Sequence, residues 1–134
     1  MNTPREPGLT HADPITLEVV RNALVAIVME MTDNLIRTAY SAIAAEIKDF
    51  SISLLDAEGN TIAQAPDGVP MFCADLNLAI RKGLVLFKDE GFEPGDIILS
   101  NDTETNGQHI NNMVAYSPIF AGGKLLAFAA VRSH

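Results

Sequence analysis

The sequence holds a single cysteine among its 134 residues. Cys73 therefore has no partner for an internal disulfide, which excludes a disulfide-stapled secreted scaffold and points to a reducing compartment. Basic residues are scarce: 9 Lys and Arg stand against 17 Asp and Glu, for a formal charge of −8. Such a chain has no general attraction for phosphate backbones or anionic lipid, and no basic run reverses this, so neither nucleic acid nor a membrane is an expected partner. Long apolar runs are missing too. The longest, Leu24 to Met31, is interrupted by Glu30 and is too short to span a bilayer. The polar, Pro-containing start lacks the apolar core of a signal peptide, so a cytoplasmic location is the expectation. No P-loop, GxSxG or CxxC motif occurs, and there is no internal repeat. What remains is average globular composition, 48% hydrophobic and 19% charged, at a length that fits one domain.

Residues 1–12 read as a loose arm. Asp13-Pro14 is a helix start, because Asp caps free N–H groups and Pro lacks the N–H that would need capping. Leu17, Val20, Leu24, Ile27, Val28, Met31, Leu35 and Ile36 then recur at helical spacing, predicting a long amphipathic helix over about 14–42. A helix of that length lies across a sheet or joins a helical interface. Phe50, Ile52 and Leu54 alternate with Ser51, Ser53 and Leu55 as in a strand, the 56–60 segment turns, and 61–65 returns as a second strand. After a loop at 66–70, Asp75 is placed to cap a second helix carrying Leu76, Ala79, Ile80, Leu84 and Phe87. The 91–96 segment breaks it, and 97–99 reads as a short buried strand. A polar loop over 100–112 leads to a hairpin of 113–120 and 124–131 across Gly122-Gly123. Helices and strands without strict alternation argue an α+β fold: a long N-terminal helix packed on a mixed or antiparallel sheet with a second helix. The apolar stretch from Leu125 to Val131 ends only three residues before His134, which leads to the expectation that the chain is a piece of a longer one.

The 100–112 loop is the strongest place for chemistry, since loops held between rigid strands commonly carry function. The hairpin brings the chain back so that His109 and His134 converge, with Asp102 as a possible third ligand. Imidazole with carboxylate suits zinc, manganese or iron, and an open position would polarise a carbonyl or water. The plainer reading is a polar turn in which Asx side chains satisfy backbone groups, or a His109 that acts as base or hydrogen-bond donor. Asn112 offers one uncharged carbonyl oxygen and is a poor ligand beside Asp. Weaker candidates each have a bland alternative. Arg37 either grips a carboxylate or is a solvated charge at a helix end. Lys48-Asp49 either faces a cleft or forms a surface pair. Cys73 is a packed thiol without an activating partner, and His11 lies in the loose arm. Gly122-Gly123 is a turn rather than a phosphate loop, because no helix follows.

An ordered set of segments resembles the N-terminal part of the hydantoinase B / oxoprolinase family. It comprises Asp13 to Leu24, Arg37-Thr38-Ala39-Tyr40-Ser41, Lys48-Asp49-Phe50-Ser51, Leu55-Asp56-Ala57-Glu58-Gly59 and Ile62-Ala63-Gln64. It continues with Pro94-Gly95-Asp96, Asn101-Asp102, Gly107-Gln108-His109 and Val131-Arg132-Ser133-His134. Each is weak alone; in order they cover nearly the whole chain. The resemblance implies that 13–134 is the N-terminal portion of a larger catalytic subunit. Its partner would be a hydantoinase A-like subunit that uses ATP and Mg. Together such subunits open cyclic amides (hydantoin, oxoproline or lactam rings) or, in a carboxylase branch, join bicarbonate to acetone or acetophenone.

In much of that family the loop reads Gly-Thr-His-x-x-Asp, with a further His after the Ala-x-x-Ala/Arg strand, and these residues match a metal site in the resembling carboxylases. Carried over, His109 and His134 keep their places as metal ligands. Asn112 stands where Asp is usual, and Gln108 replaces Thr. The departure fits a site that works without metal, or a subunit copy that has lost activity and serves assembly. On the enzyme reading His109 is catalytic, with Asn101 and Asp102 shaping the site. A different class competes: the long helix followed by the 50–60 hairpin resembles the opening of PAS or GAF ligand-binding modules, though it leaves the 100–112 loop without a role.

Overall fold

The computed structural model describes residues 13–67, 69, 72–106 and 109–134, except for the side chain of Cys73. The expected N-terminal arm, His11, Gln108 and the Cys73 thiol lie outside that description. The first helix, α1, runs Pro14–Thr38. It starts as the sequence predicts: the Asp13 carboxylate accepts hydrogen bonds from Ile15 N at 3.0 Å and Thr16 N at 3.2 Å. It stops four residues before the predicted end. Ala39 is already extended, and Thr38 Oγ1 donates to the Asn34 carbonyl at 2.7 Å. The inward stripe ends with Ile36 and Ala39, and Tyr40 is fully exposed, so another turn would bury nothing. A short helix α2, Ala42–Ala45, follows.

A tight turn at Lys48, which adopts a left-handed φ of 59°, then delivers the chain into strand β1, Phe50–Asp56. Strand β2 is Thr61–Gln64, helix α3 is Cys73–Leu86, and strands β3 to β5 are Ile98–Ser100, Met113–Ala121 and Lys124–Ser133. The five strands form one sheet in the order β2-β1-β5-β4-β3, every neighbouring pair antiparallel. The α+β reading holds, and the sheet is antiparallel rather than mixed.

Alternation along β1 and β5 divides the core in two. Phe50, Ile52 and Leu54 face α1 and pack with Val28, Leu24, Met31, Leu35, Ala129 and Val131. Leu55, Phe128 and Ala130 face α3 and pack with Leu76, Ala79, Ile80, Val114 and Tyr116. On the α3 side Phe92 meets Phe128 edge-on at 5.3 Å between centroids, and Tyr116 meets Phe128 at 5.9 Å. Each fully buried Leu or Ile here contributes about 1.5–3 kcal/mol relative to exposure. Only the later part of α1 lies on the sheet; residues 13–23 are exposed, including Ile15, Leu17, Val19 and Val20.

Two turns have visible chemical causes. The Asp56 carboxylate accepts from Glu58 N, Asn60 N and Asn60 Nδ2, and Gly59 takes φ 80°. Burial alone would raise the Asp56 pKa, but these donors hold it below its ordinary value. Gly83 on α3 lies directly under Tyr116, so close that a Cβ there would stand 1.9 Å from the phenol oxygen.

Three local expectations change. The short strand expected as buried over 97–99 is a sheet edge, with Ile97 and Leu99 exposed. Asp75 does not cap α3; Phe72 is the N-cap residue, and Asp75 sits in the first turn, paired elsewhere. Lys48 pairs across the loop with Asp67 at 2.8 Å, rather than with its neighbour Asp49. Among the described residues no helix is long and apolar enough to cross a membrane.

Candidate functional site

The starts of β1 and β4, the end of β5 and the N-terminus of α3 meet at one end of the sheet. The register that does this pairs Ser133 with both Phe50 and Met113. His134 follows directly, its N–H donating to the Asp49 carbonyl at 3.3 Å. His109 arrives from the 100–112 loop through a turn in which Asn112 N donates to His109 O at 3.2 Å. The two imidazoles face each other edge-on, with centroids 4.9 Å apart and planes at 75°. Asn112 is buried, and its Nδ2 stands 3.5 Å from His109 Nε2. The three residues singled out as a metal set are therefore neighbours, and the hairpin is what returns His134 to the loop.

The loop between them is built by its own Asx chemistry. Asn106 is buried; its Nδ2 donates to Ser100 Oγ at 2.9 Å, and its Oδ1 accepts from Thr105 Oγ1 at 3.0 Å. The Asp102 carboxylate accepts from Glu104 N and Thr105 Oγ1, and pairs with Lys82 on α3. The Lys82 ammonium holds the Asp102 pKa below its ordinary value, and Asp102 in turn raises that of Lys82. Asn101 Nδ2 donates to the Ile110 carbonyl at 3.2 Å and ties the two arms of the loop. Asp102 and Asn101 are thus engaged in holding the loop. Among the described residues no three His, Cys, Asp or Glu side chains converge, so Asp102 does not join the histidines as a third ligand.

Other candidates fall into place. Arg37 is exposed, its Nη2 on Asn34 Oδ1 and its Nε on the Asp33 carbonyl, as a solvated charge at a helix end would be. Gly122 and Gly123 form the β4–β5 turn at φ 57° and 77°. One group escaped the sequence reading: Arg132, buried on β5, ion-paired to Asp75 and stacked on Phe72. Its signal was available. An Arg at the inward parity of an otherwise apolar strand requires a partner, because a lone buried charge is too costly.

The class is thus α+β: a five-stranded antiparallel sheet with a helix on each face, and a His-x-x-Asn turn meeting a His at the end of β5. The model for hydantoinase B/oxoprolinase matches residues 13–134. The chain belongs to that family. The caprolactamase subunit beta of Pseudomonas jessenii is 36% identical over 122 residues, which cover 91% of this chain and 21% of that protein. The 5-oxoprolinase of Saccharomyces cerevisiae is 30% identical over 123 residues, covering 91% of this chain and 9% of that one. The crystal structure of the ATP-dependent caprolactamase from Pseudomonas jessenii superimposes with a TM-score of 0.82 at 34% identity, over 92% of this chain and 21% of that one. Acetone carboxylase in its nucleotide-free structure shares the fold, with a TM-score of 0.75 at 21% identity over 91% of this chain and 16% of that one. This chain thus spans from about a tenth to about a fifth of the length of such relatives.

Proposed function

We propose that this chain is the N-terminal part of a larger catalytic subunit that opens cyclic amides (hydantoin, oxoproline or lactam rings) at the expense of ATP, with a hydantoinase A-like partner binding the nucleotide and Mg. The observation that carries the reading is the convergence of His109, Asn112 and His134 at one sheet end in a chain 34% identical to an ATP-dependent caprolactamase. On this reading His109 and His134 are the working side chains, and Asn101 and Asp102 act by holding the loop that carries His109.

Two imidazoles and one amide oxygen form a neutral donor set that fits a divalent zinc, manganese or iron ion, provided the Asn112 amide presents its oxygen. Such an ion would supply Lewis-acid polarisation of a substrate carbonyl. Without any ion, His109 and His134 still offer ring nitrogens to a carbonyl oxygen or a water, and Asn112 Nδ2 orients the His109 ring. His109 is exposed, so an incoming ring can reach it.

Ketone carboxylation of the acetone or acetophenone type is the second reading, supported by the shared fold with acetone carboxylase. The hairpin that resembles PAS and GAF openings lies within the matched family segment and supports no separate reading. The test is ATP-dependent turnover by the full subunit with its partner, offered caprolactam, 5-oxoproline, hydantoin, and acetone with bicarbonate. Ring opening with ADP release supports the hydrolase, bicarbonate fixation supports the carboxylase, and neither with any substrate class contradicts both.

A further inference from the structure

Arg132 is 3% exposed, two residues before His134. Its Nη1 donates to the Asp75 carboxylate in the first turn of α3, and its guanidinium carbon lies 3.7 Å from the centre of the Phe72 ring. Its Nε is buried without a hydrogen-bond partner among the described residues. Arg132 pairs with Val114 across the β4–β5 ladder. Alternation therefore puts Asn112, Arg132 and His134 on the α3 side of the same sheet end.

A buried ion pair is a poor source of stability, because desolvation of both charges consumes the attraction between them. The preceding inward residues of β5 are Phe128 and Ala130, so an apolar side chain at 132 would continue the pattern at lower cost. An apolar side chain cannot fix a direction. A planar fork held at its edge by a carboxylate and on its face by an aromatic ring adopts one orientation. Through Asp75 and Phe72 this fork joins the end of β5 to the entry of α3. The segment leading to that entry is itself tied to the start of β1, by Val69 N to Phe50 O at 2.9 Å and by Lys48 to Asp67. Phe50 in turn pairs with Ser133. The contacts form a closed circuit around the residue that precedes His134.

From this circuit we infer that Arg132 is a positioning residue: with Asp75 and Phe72 it locks the end of β5 against α3 and so holds His134 beside His109. The consequence for chemistry rests on the proposed function, but the placement is testable without it. The full chain, with any partner subunit, is stripped with chelator and exposed to diethyl pyrocarbonate. The rate of modification at His109 and His134 is read by peptide mass spectrometry for wild type, Arg132→Lys, Asp75→Asn and Val28→Ala. Val28→Ala loosens the opposite core face and serves as the control. The expected result is a several-fold change in modification rate at His134 and His109 in both clamp variants, with wild-type rates in Val28→Ala. Wild-type rates in whichever clamp variants fold, or an equal change in Val28→Ala, would overturn the inference. A cobalt(II) titration of the same wild-type sample reports separately on metal binding. No cobalt uptake with a clamp-dependent change would remove the metal role and keep the clamp, and the reverse would remove the clamp alone.

Discussion

Gly83→Ala sets two well-measured effects against each other. In a helix interior the substitution ordinarily stabilises by about 0.8–1 kcal/mol. Here the new Cβ would stand 1.9 Å from Tyr116 Oη and 2.9 Å from Cζ, where ordinary contact begins near 3.4 Å. The ring cannot retreat easily. Tyr116 is 2% exposed and lies edge-on to Phe92 at 6.5 Å and to Phe128 at 5.9 Å between centroids. Overpacking of this kind costs about 1–3 kcal/mol, and so deep an overlap belongs at the upper end, leaving a net loss of about 1–2 kcal/mol. Amide hydrogen exchange on the full chain reads this locally. The protected amides of α3 should exchange about 5–30 times faster than in wild type. In a Tyr116→Leu background the overlap is gone, and Gly83→Ala should become neutral or slow exchange, a coupling expected only for residues in contact. Slower α3 exchange in the single variant would refute the packing described here, leaving propensity as the only effect at work.

Three further outcomes follow from the loop and the site. Asn106→Ala removes the bonds to Ser100 and Thr105, both of which keep Asp102 as a partner, and should cost about 0.5–1.5 kcal/mol, seen as faster proteolytic nicking within 100–112. Lys82→Met should weaken the loop in a pH-dependent way. Asp102 has a lowered pKa, so its contribution is present above the usual carboxylate range and is lost as pH falls through the lowered value. Lys82 has a raised pKa, so its contribution persists below the usual lysine value and is lost as pH rises through the raised one. The difference between wild type and variant in loop exchange should therefore be largest between about pH 4 and pH 10, and fade beyond that window as Asp102 is protonated on the acid side and Lys82 deprotonated on the alkaline side. Asn112→Asp should tighten metal binding at least about tenfold, which needs only about 1.4 kcal/mol of the added charge's attraction. The same variant should be less stable than wild type when metal-free, because position 112 is buried.

Much of this fold is local in origin and so was legible along the chain. Asp13-Pro14 starts α1, Gly59 closes the first hairpin, and the alternation of 50–55 sorts that strand between two cores. The convergence of His109 and His134 was legible for the same reason: one hairpin separates them, and its turn is written in Gly122-Gly123. What the chain conceals is tertiary. Helix α1 stops at Thr38 because nothing lies beyond to bury another turn. Asp75 has the spacing of a cap, yet it serves a partner 57 residues away. Asp102 has the chemistry of a ligand and is claimed by Lys82 from another element. β3 has the composition of a buried strand, but its place at the edge of the sheet leaves Leu99 in solvent.

The proposal that His109, Asn112 and His134 hold a metal ion for this chemistry is tested most directly by elemental analysis of the purified full subunit, wild type beside His109→Ala. The account predicts a stoichiometric transition metal in the wild type that is lost in the variant. No metal in either protein, or equal metal in both, would contradict it.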